Sequence, residues 1–206
     1  TYLFGGKVVS SVYHNRSDIF LGRFIDGTID DLEMSEINDL LKTVDGKVPA
    51  VSSANMILEN QPREVHGRHR LSKGIIFLDV LDTKAADIVI FDNYMDISAK
   101  MLEIDGTQEG SKWFLRPNDL KDPTSCRPAD LLDPEVGAEA MVKIIDHTRK
   151  MLPDAHIVYC NFPHNTYEKT PERVRRTIAY EKAISKAKDR SFSFIPSLAV
   201  PTKFQT

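Results

Sequence analysis

The feature that most constrains this chain is a set of short apolar runs, each ended abruptly and separated from the next by a long amphipathic stretch. Ile88-Val89-Ile90-Phe91, between Asp87 and Asp92, is an uninterrupted β-branched and aromatic run. That is how a strand buried on both faces reads. His156-Ile157-Val158-Tyr159-Cys160-Asn161-Phe162 is stopped by Pro163, and Ser191-Phe192-Ser193-Phe194-Ile195 by Pro196. A further strand belongs near the N-terminus, over 2–5 or 7–13.

Helices fall between these runs. Residues 136–152 carry an apolar stripe of Val136, Ala140, Met141, Ile144, Ile145 and Leu152 at a period of about 3.6 residues. Asp133 and Pro134 precede it as cap and first-turn residue. Thr170-Pro171-Glu172 opens a last helix running to about Lys188, with Thr170 as its N-cap hydroxyl. Residues 71–84 form another, with Ile75, Leu78 and Leu81 on one face. In 101–132, Asp105-Gly106 signals a hairpin turn between Met101-Leu102-Glu103-Ile104 and Lys112-Trp113-Phe114-Leu115, and Pro117 to Pro128 reads as loop. The stretch is an insertion in a single domain covering 1–206, since no composition shift flanks it. Strand and helix in alternation predict an α/β three-layer sandwich with a mostly parallel sheet of about four to five strands.

Composition narrows the function classes. Lys and Arg number 27 against 30 Asp and Glu, giving a net charge of −3. A nucleic-acid binder usually carries a basic footprint, so nucleic acid is not an expected partner. No run approaches the roughly 20 apolar residues of a membrane span. Two cysteines, Cys126 and Cys160, make neither a CxxC pair nor a disulfide framework, which predicts reduced thiols and a cytoplasmic setting. The opening residues, Thr1-Tyr2-Leu3-Phe4-Gly5-Gly6, show no secretory pattern and no Met, as in a processed or excised piece.

In parallel sheets ligands sit at the carboxyl ends of the strands, so the residues just after each run are the candidates. Asp92-Asn93-Tyr94-Met95-Asp96 crowds two carboxylates and an amide there. Asn93 can donate to an oxyanion, and Asp92 or Asp96 can orient a base or bind a substrate hydroxyl. Equally, Asp and Asn are ordinary helix caps. Asn161-Phe162-Pro163-His164-Asn165-Thr166-Tyr167 places His164 as a base, with Asn161, Asn165 and Tyr167 as substrate contacts. If 7–13 is the first strand, His14-Asn15-Arg16-Ser17 is its loop. Ser17 then stands before a helix over 18–25 as nucleophile or N-cap, with Ser11 as the second choice, His14 as base and Arg16 as a substrate contact. If 2–5 is the strand instead, no serine lies in the turn.

His66 and His69 are spaced i, i+3 among basic residues without a third ligand, and no metal or other cofactor is expected. Asp92 and Asp96 could alternatively flank a divalent cation in a sugar-nucleotide transferase. Arg173, Arg175 and Arg176 form a basic cluster at the start of the last helix, either a solvated face or an anion-recognition site.

Three pieces of this pattern resemble the SGNH/GDSL-type hydrolase superfamily, in its divergent bacterial branch associated with surface polysaccharides. They are the 86–96 strand and loop, the Val158-to-Tyr167 strand and loop followed by Pro171-Glu172-Arg173-Val174-Arg175-Arg176, and the N-terminal strand-to-helix turn. The resemblance implies an SGNH/flavodoxin-like fold and a serine esterase or O-acyltransferase acting on acylated sugar hydroxyls. Asn93 takes the oxyanion role in that comparison. The substrate would be a small molecule or glycan, and the chain part of a larger polysaccharide-assembly protein. The chain departs from the family at two points. The nucleophile turn is Phe4-Gly5-Gly6-Lys7 or Tyr13-His14-Asn15-Arg16-Ser17 rather than Gly-x-Ser, and Pro196 to Phe204 lacks the family's Asp-x-x-His. A non-catalytic domain of the same fold, binding a carbohydrate or an anion, is therefore the alternative.

Overall fold

The computed structural model describes residues 15–32, 34–42, 77–84, 86–109, 111–163, 170–187 and 192–198. The chain divides into two compact units. One comprises Thr1–Asn15, Gly22–Ala85 and Lys100–Asp130, the other Arg16–Leu21, Ala86–Ala99 and Leu131–Thr206.

The second unit holds a parallel sheet. Strands β1 (Ile88–Asp92), β4 (His156–Cys160) and β5 (Ser193–Ile195) lie in the order β1-β4-β5. The register pairs Ile88 with His156 and Asp92 with Cys160, so the carboxyl ends of β1 and β4 are level. All three runs legible in the sequence are strands, and the chain is α/β. The strand expected over 2–5 or 7–13 lies outside the described residues.

Helices α5 (Pro134–Met151) and α6 (Pro171–Ser185) carry the apolar surface that packs on this sheet. Ala138, Met141, Ile145, Tyr180 and Ile184 pack against Ile157 and Tyr159, with Val89, Phe91 and Phe194 at the margin. The ring of Tyr159 stacks on Phe194 with centroids 6.0 Å apart. The α5 stripe differs from the expected one at its start: Val136 is 52 % exposed, and the buried face begins at Gly137 and Ala138. Asp133 caps α5 as expected, accepting Glu135 N–H at 2.8 Å and Val136 N–H at 3.3 Å. Thr170 occupies the N-cap of α6 but makes no side-chain cap bond, so Pro171 and the backbone set that end.

One expectation for β1 fails. Ile88 and Ile90 are 61 % and 67 % exposed, so the run is not buried on both faces. Val89 and Phe91 turn toward α5 and α6, and no element among the described residues covers the alternate positions. An uninterrupted apolar run supplies two apolar faces but cannot say that both are covered.

Short helices complete the unit. Helix α1 (Ser17–Phe20) is one, and the chain leaves it through a π-helical turn over Leu21–Asp26 that belongs, from Gly22 on, to the first unit. Helix α4 (Tyr94–Ser98) starts directly after β1.

The first unit has its own core of Leu32, Ile37, Leu41, Leu102, Ile104, Trp113, Leu115 and Leu120. Its helices are α2 (Met34–Leu40) and α3 (Phe77–Thr83). Leu81 on α3 is buried, while residues 71–76 lie outside the described residues. Strand β2 (Leu102–Ile104) pairs antiparallel with β3 (Cys126–Pro128). The Asp105-Gly106 turn forms, with Thr107 N–H donating to Ile104 O at 3.2 Å and Gly106 at φ +82°. Among the described residues, Leu102 and Trp113 then bridge across it. The main partner of β2 comes from a stretch expected to be loop, because Cys126-Arg127-Pro128 lacks any alternating apolar pattern. Arg23, 5 % exposed, lies over the Trp113 ring at 3.8 Å. Burial pushes this guanidinium down to about 10, and Asp31 opposes the shift.

Candidate functional site

The level ends of β1 and β4 deliver two residues side by side. Asn93 follows β1 and Asn161 follows β4, and they are 1 % and 4 % exposed. Asn93 Nδ2 donates to Asn161 Oδ1, and Asn93 Oδ1 accepts Phe162 N–H at 2.8 Å. Asn161 Nδ2 passes the chain on to Glu181 Oε2 at 2.9 Å, which also accepts Ser197 N–H at 2.7 Å. Asn93 sits at the N-cap position of α4 without capping it. The capping bond there is made by Asp92, whose Oδ1 accepts Tyr94 N–H at 2.9 Å. The two readings of Asp92-Asn93 thus separate: the carboxylate caps, and the amide ties two strand ends together.

One turn further on, Asp96 is 2 % exposed and lies at the centre of a second network. Its Oδ1 accepts Ser17 N–H at 2.7 Å, and its Oδ2 accepts the Tyr180 hydroxyl. Ser17, 3 % exposed, donates from Oγ to Gly137 O at 3.2 Å. Gly137 is what lets these groups meet. A Cβ there would stand 2.8 Å from Tyr180 Cε2 and 2.9 Å from Leu132 Cδ2, distances real Cβ atoms do not tolerate.

Electrostatics follow from enclosure. Burial pushes the Asp96 carboxyl up to about 6, against the bonds from Ser17 and Tyr180, and Asp18 adds to the rise. Burial, then the Asp96 charge, holds the Tyr180 phenol well above its ordinary value. Arg176 secures the helix that carries Asp96. It donates to Asp96 O at 2.8 Å, Ile97 O at 3.1 Å and Leu132 O. A guanidinium has a fixed fork of five N–H donors, which suits it to gathering several carbonyls. Burial lowers its pKa, the nearby Arg16 adding to the effect.

The expected site residues therefore fall into three groups. Ser17, Asn93, Asp96 and Asn161 are brought together in the second unit, all buried. Ser17 is the first residue of α1 rather than its cap, and Arg16 occupies the cap position. Arg16 is 1 % exposed and grips Asp18 with Nε at 2.9 Å and Nη2 at 2.6 Å. Asp92 is exposed and Asp96 enclosed, and each is engaged with different groups. Ser11, His14, His164, Asn165 and Tyr167 lie outside the described residues, as do His66 and His69. Among the described residues no three His, Cys, Asp or Glu side chains gather as a metal site would require. Nor is any helix there long and apolar enough to cross a membrane.

Tyr180, Gly137 and Glu181 were not among the sequence candidates. Tyr180 lies four residues beyond Arg176, which puts the two on one face of α6. That face is a weak signal, since a buried tyrosine is usually core. The Arg173-Arg175-Arg176 cluster divides unexpectedly: Arg175 is exposed and pairs with Glu172 at 2.5 Å, while Arg176 is a buried clamp on carbonyls. No family model matches this chain, and neither a curated protein nor a solved structure matches it significantly.

Proposed function

We propose that the strand-end site of the second unit processes esters by a serine mechanism of the SGNH type, as an esterase or O-acyltransferase. The observation that carries this reading is the direct linkage of Ser17 to the segment after β1: Ser17 N–H bonds to Asp96, three residues from Asn93. Nucleophile candidate and oxyanion candidate thus sit on one rigid unit at the carboxyl end of a parallel strand, where such sites occur. Ser17 Oγ forms a bond to the acyl carbon, and the sugar oxygen leaves with a proton. Asn93 Nδ2 has two N–H donors, of which one is given to Asn161, leaving the second for an oxyanion. Acylated sugar hydroxyls of a surface polysaccharide or its precursor, a cytoplasmic setting, and a place in a larger polysaccharide-assembly protein follow from the family resemblance.

The burial of Ser17 and Asn93, 3 % and 1 % exposed, favours a second reading in which the same fold binds a carbohydrate or anion without turnover. Labelling with a small fluorophosphonate, peptide mapping and a Ser17→Ala control separate the two. Covalent capture at Ser17, lost in the variant, is the expected result. No labelling and no hydrolysis of a chromogenic acetyl ester by the folded protein would leave the binding reading.

A further inference from the structure

Five residues at the strand ends close into a hydrogen-bonded ring. Glu181 Oε2, on α6, accepts Asn161 Nδ2 at 2.9 Å and Ser197 N–H at 2.7 Å. Asn161 Oδ1 accepts Asn93 Nδ2, and Asn93 Oδ1 accepts Phe162 N–H at 2.8 Å. Ser197 Oγ donates to Phe162 O at 2.8 Å, which completes the circuit. The ring joins the segments that follow β1, β4 and β5 to one side chain of α6.

The direction of both amides is fixed by their neighbours. A backbone N–H can only donate, so Asn93 turns its oxygen to Phe162 and its Nδ2 to Asn161. A carboxylate can only accept, so Asn161 turns its Nδ2 to Glu181, with Thr177 O a second acceptor at 3.4 Å. An amide group is planar. With Oδ1 and one Nδ2 proton of Asn93 both engaged, the direction of the second Nδ2 proton is set. That proton is the one the serine reading gives to the oxyanion.

Glu181 stands behind both contacts of Asn93 in the ring. It holds Asn161 directly, and it holds Phe162 through Ser197. It is also the ring's one charged member, and hydrogen bonds to a charged group are the stronger kind. We propose that Glu181 is a positioning residue for Asn93. It fixes the plane of the Asn93 amide from two sides, and so aims the remaining N–H. This rests on the serine reading, in which Asn93 is the oxyanion donor.

The test has two readouts. The first is hydrogen exchange of the Asn93 and Asn161 side-chain amides, followed by NMR on isotope-labelled protein, which needs no chemistry at Ser17. Glu181→Ala is expected to speed that exchange about tenfold or more, while the backbone amides of β1 and β4 keep their protection. Glu181→Gln keeps an oxygen for Asn161 and Ser197, and is expected to stay within about threefold of the wild type. The second readout is the maximal rate of fluorophosphonate labelling at Ser17. Glu181→Ala is expected to lower it about tenfold or more, with the half-saturating probe concentration unchanged, and Glu181→Gln to rescue it. Asn93→Ala alone is expected to cost ~100-fold. In that background Glu181→Ala is expected to add nothing, because its effect passes through the missing amide. A general loosening of the fold would lower the rate in both backgrounds. Ser197→Ala opens the ring on its Phe162 side and is expected to move both readouts the same way by less, so the assignment is tested even if Glu181→Ala fails to fold. Unchanged side-chain exchange in Glu181→Ala, or a labelling loss that adds to that of Asn93→Ala, would overturn the assignment and leave the serine reading standing. Absence of labelling at Ser17 in the wild type would sink the serine reading, and the exchange readout would still decide whether Glu181 holds Asn93.

Discussion

Two polar networks follow the same strand, three residues apart, and they are built from opposite materials. The Asn93–Asn161 link between the strand ends is made by amides, which carry no charge and do not titrate, and a carboxylate, Glu181, enters only at its far, part-buried end. The Asp96 network encloses an ionisable carboxyl with serine and tyrosine. Amides can knit β1 to β4 at a cost in stability that is the same at every pH. A buried carboxylate cannot, because its charged form is penalised wherever water is excluded. The comparison shows which of two buried pairs ties the strand ends together through amides and which has an ionisable carboxyl at its centre.

The sharpest way to separate them is pH. The Asp96 carboxyl titrates at about 6 in the folded chain against 3.8 ordinarily, so the folded state binds more protons across that interval. Its contribution to stability is full below 3.8, declines as pH rises, and is gone above about 6. At ~1.4 kcal/mol per unit the swing is about 3 kcal/mol. Urea unfolding between pH 4 and 7 is expected to show this fall, and Asp96→Asn to remove it. A wild-type curve with the same pH dependence as the variant would place the titrating group elsewhere.

Breaking the amide clasp is the next largest effect. Asn93→Ala strands the Phe162 N–H and a lone pair of Asn161, at a cost of about 2 kcal/mol, read as a lower urea midpoint. Ser17 should keep its partners in this variant. A loss far below that size would mean that water replaces the amide and that the strand ends tolerate separation. The smallest effect tests the surface. Arg175→Ala breaks an exposed pair with Glu172 and is expected to change stability by less than ~0.5 kcal/mol. Its neighbour Arg176, buried on carbonyls, marks how much one helical step changes the meaning of a basic residue.

How far the sequence reached varies with the kind of signal. The 134–151 helix was legible down to its cap, because Asp133, Pro134 and the apolar period all act locally. The three parallel strands were legible because each is an apolar run ended by a turn or proline. Strand β3 was not, since Cys126-Arg127-Pro128 pairs through its backbone and shows no side-chain alternation. The exposed face of β1 was not either, because composition states that a face is apolar and never what lies over it.

For the site, the strand-end rule selected Asn93, Asp96, Asn161 and Ser17 from their positions alone. The order of strands and helices is a consequence of local pattern, so the sequence by itself determined that polar residues would stand at the strand ends, while the level register of β1 and β4 is a long-range pairing. It could not determine that Asn93 reaches across to Asn161, that Asp92 caps while Asp96 is enclosed, or that Tyr180 and Gly137 complete the enclosure. Those facts join residues 68, 79 and 84 positions apart. They depend on how two helices settle on a sheet, through packing over long sequence separations. A carboxyl's proton affinity is set by that packing, so only the tertiary structure decided which aspartate would be enclosed and have its pKa raised.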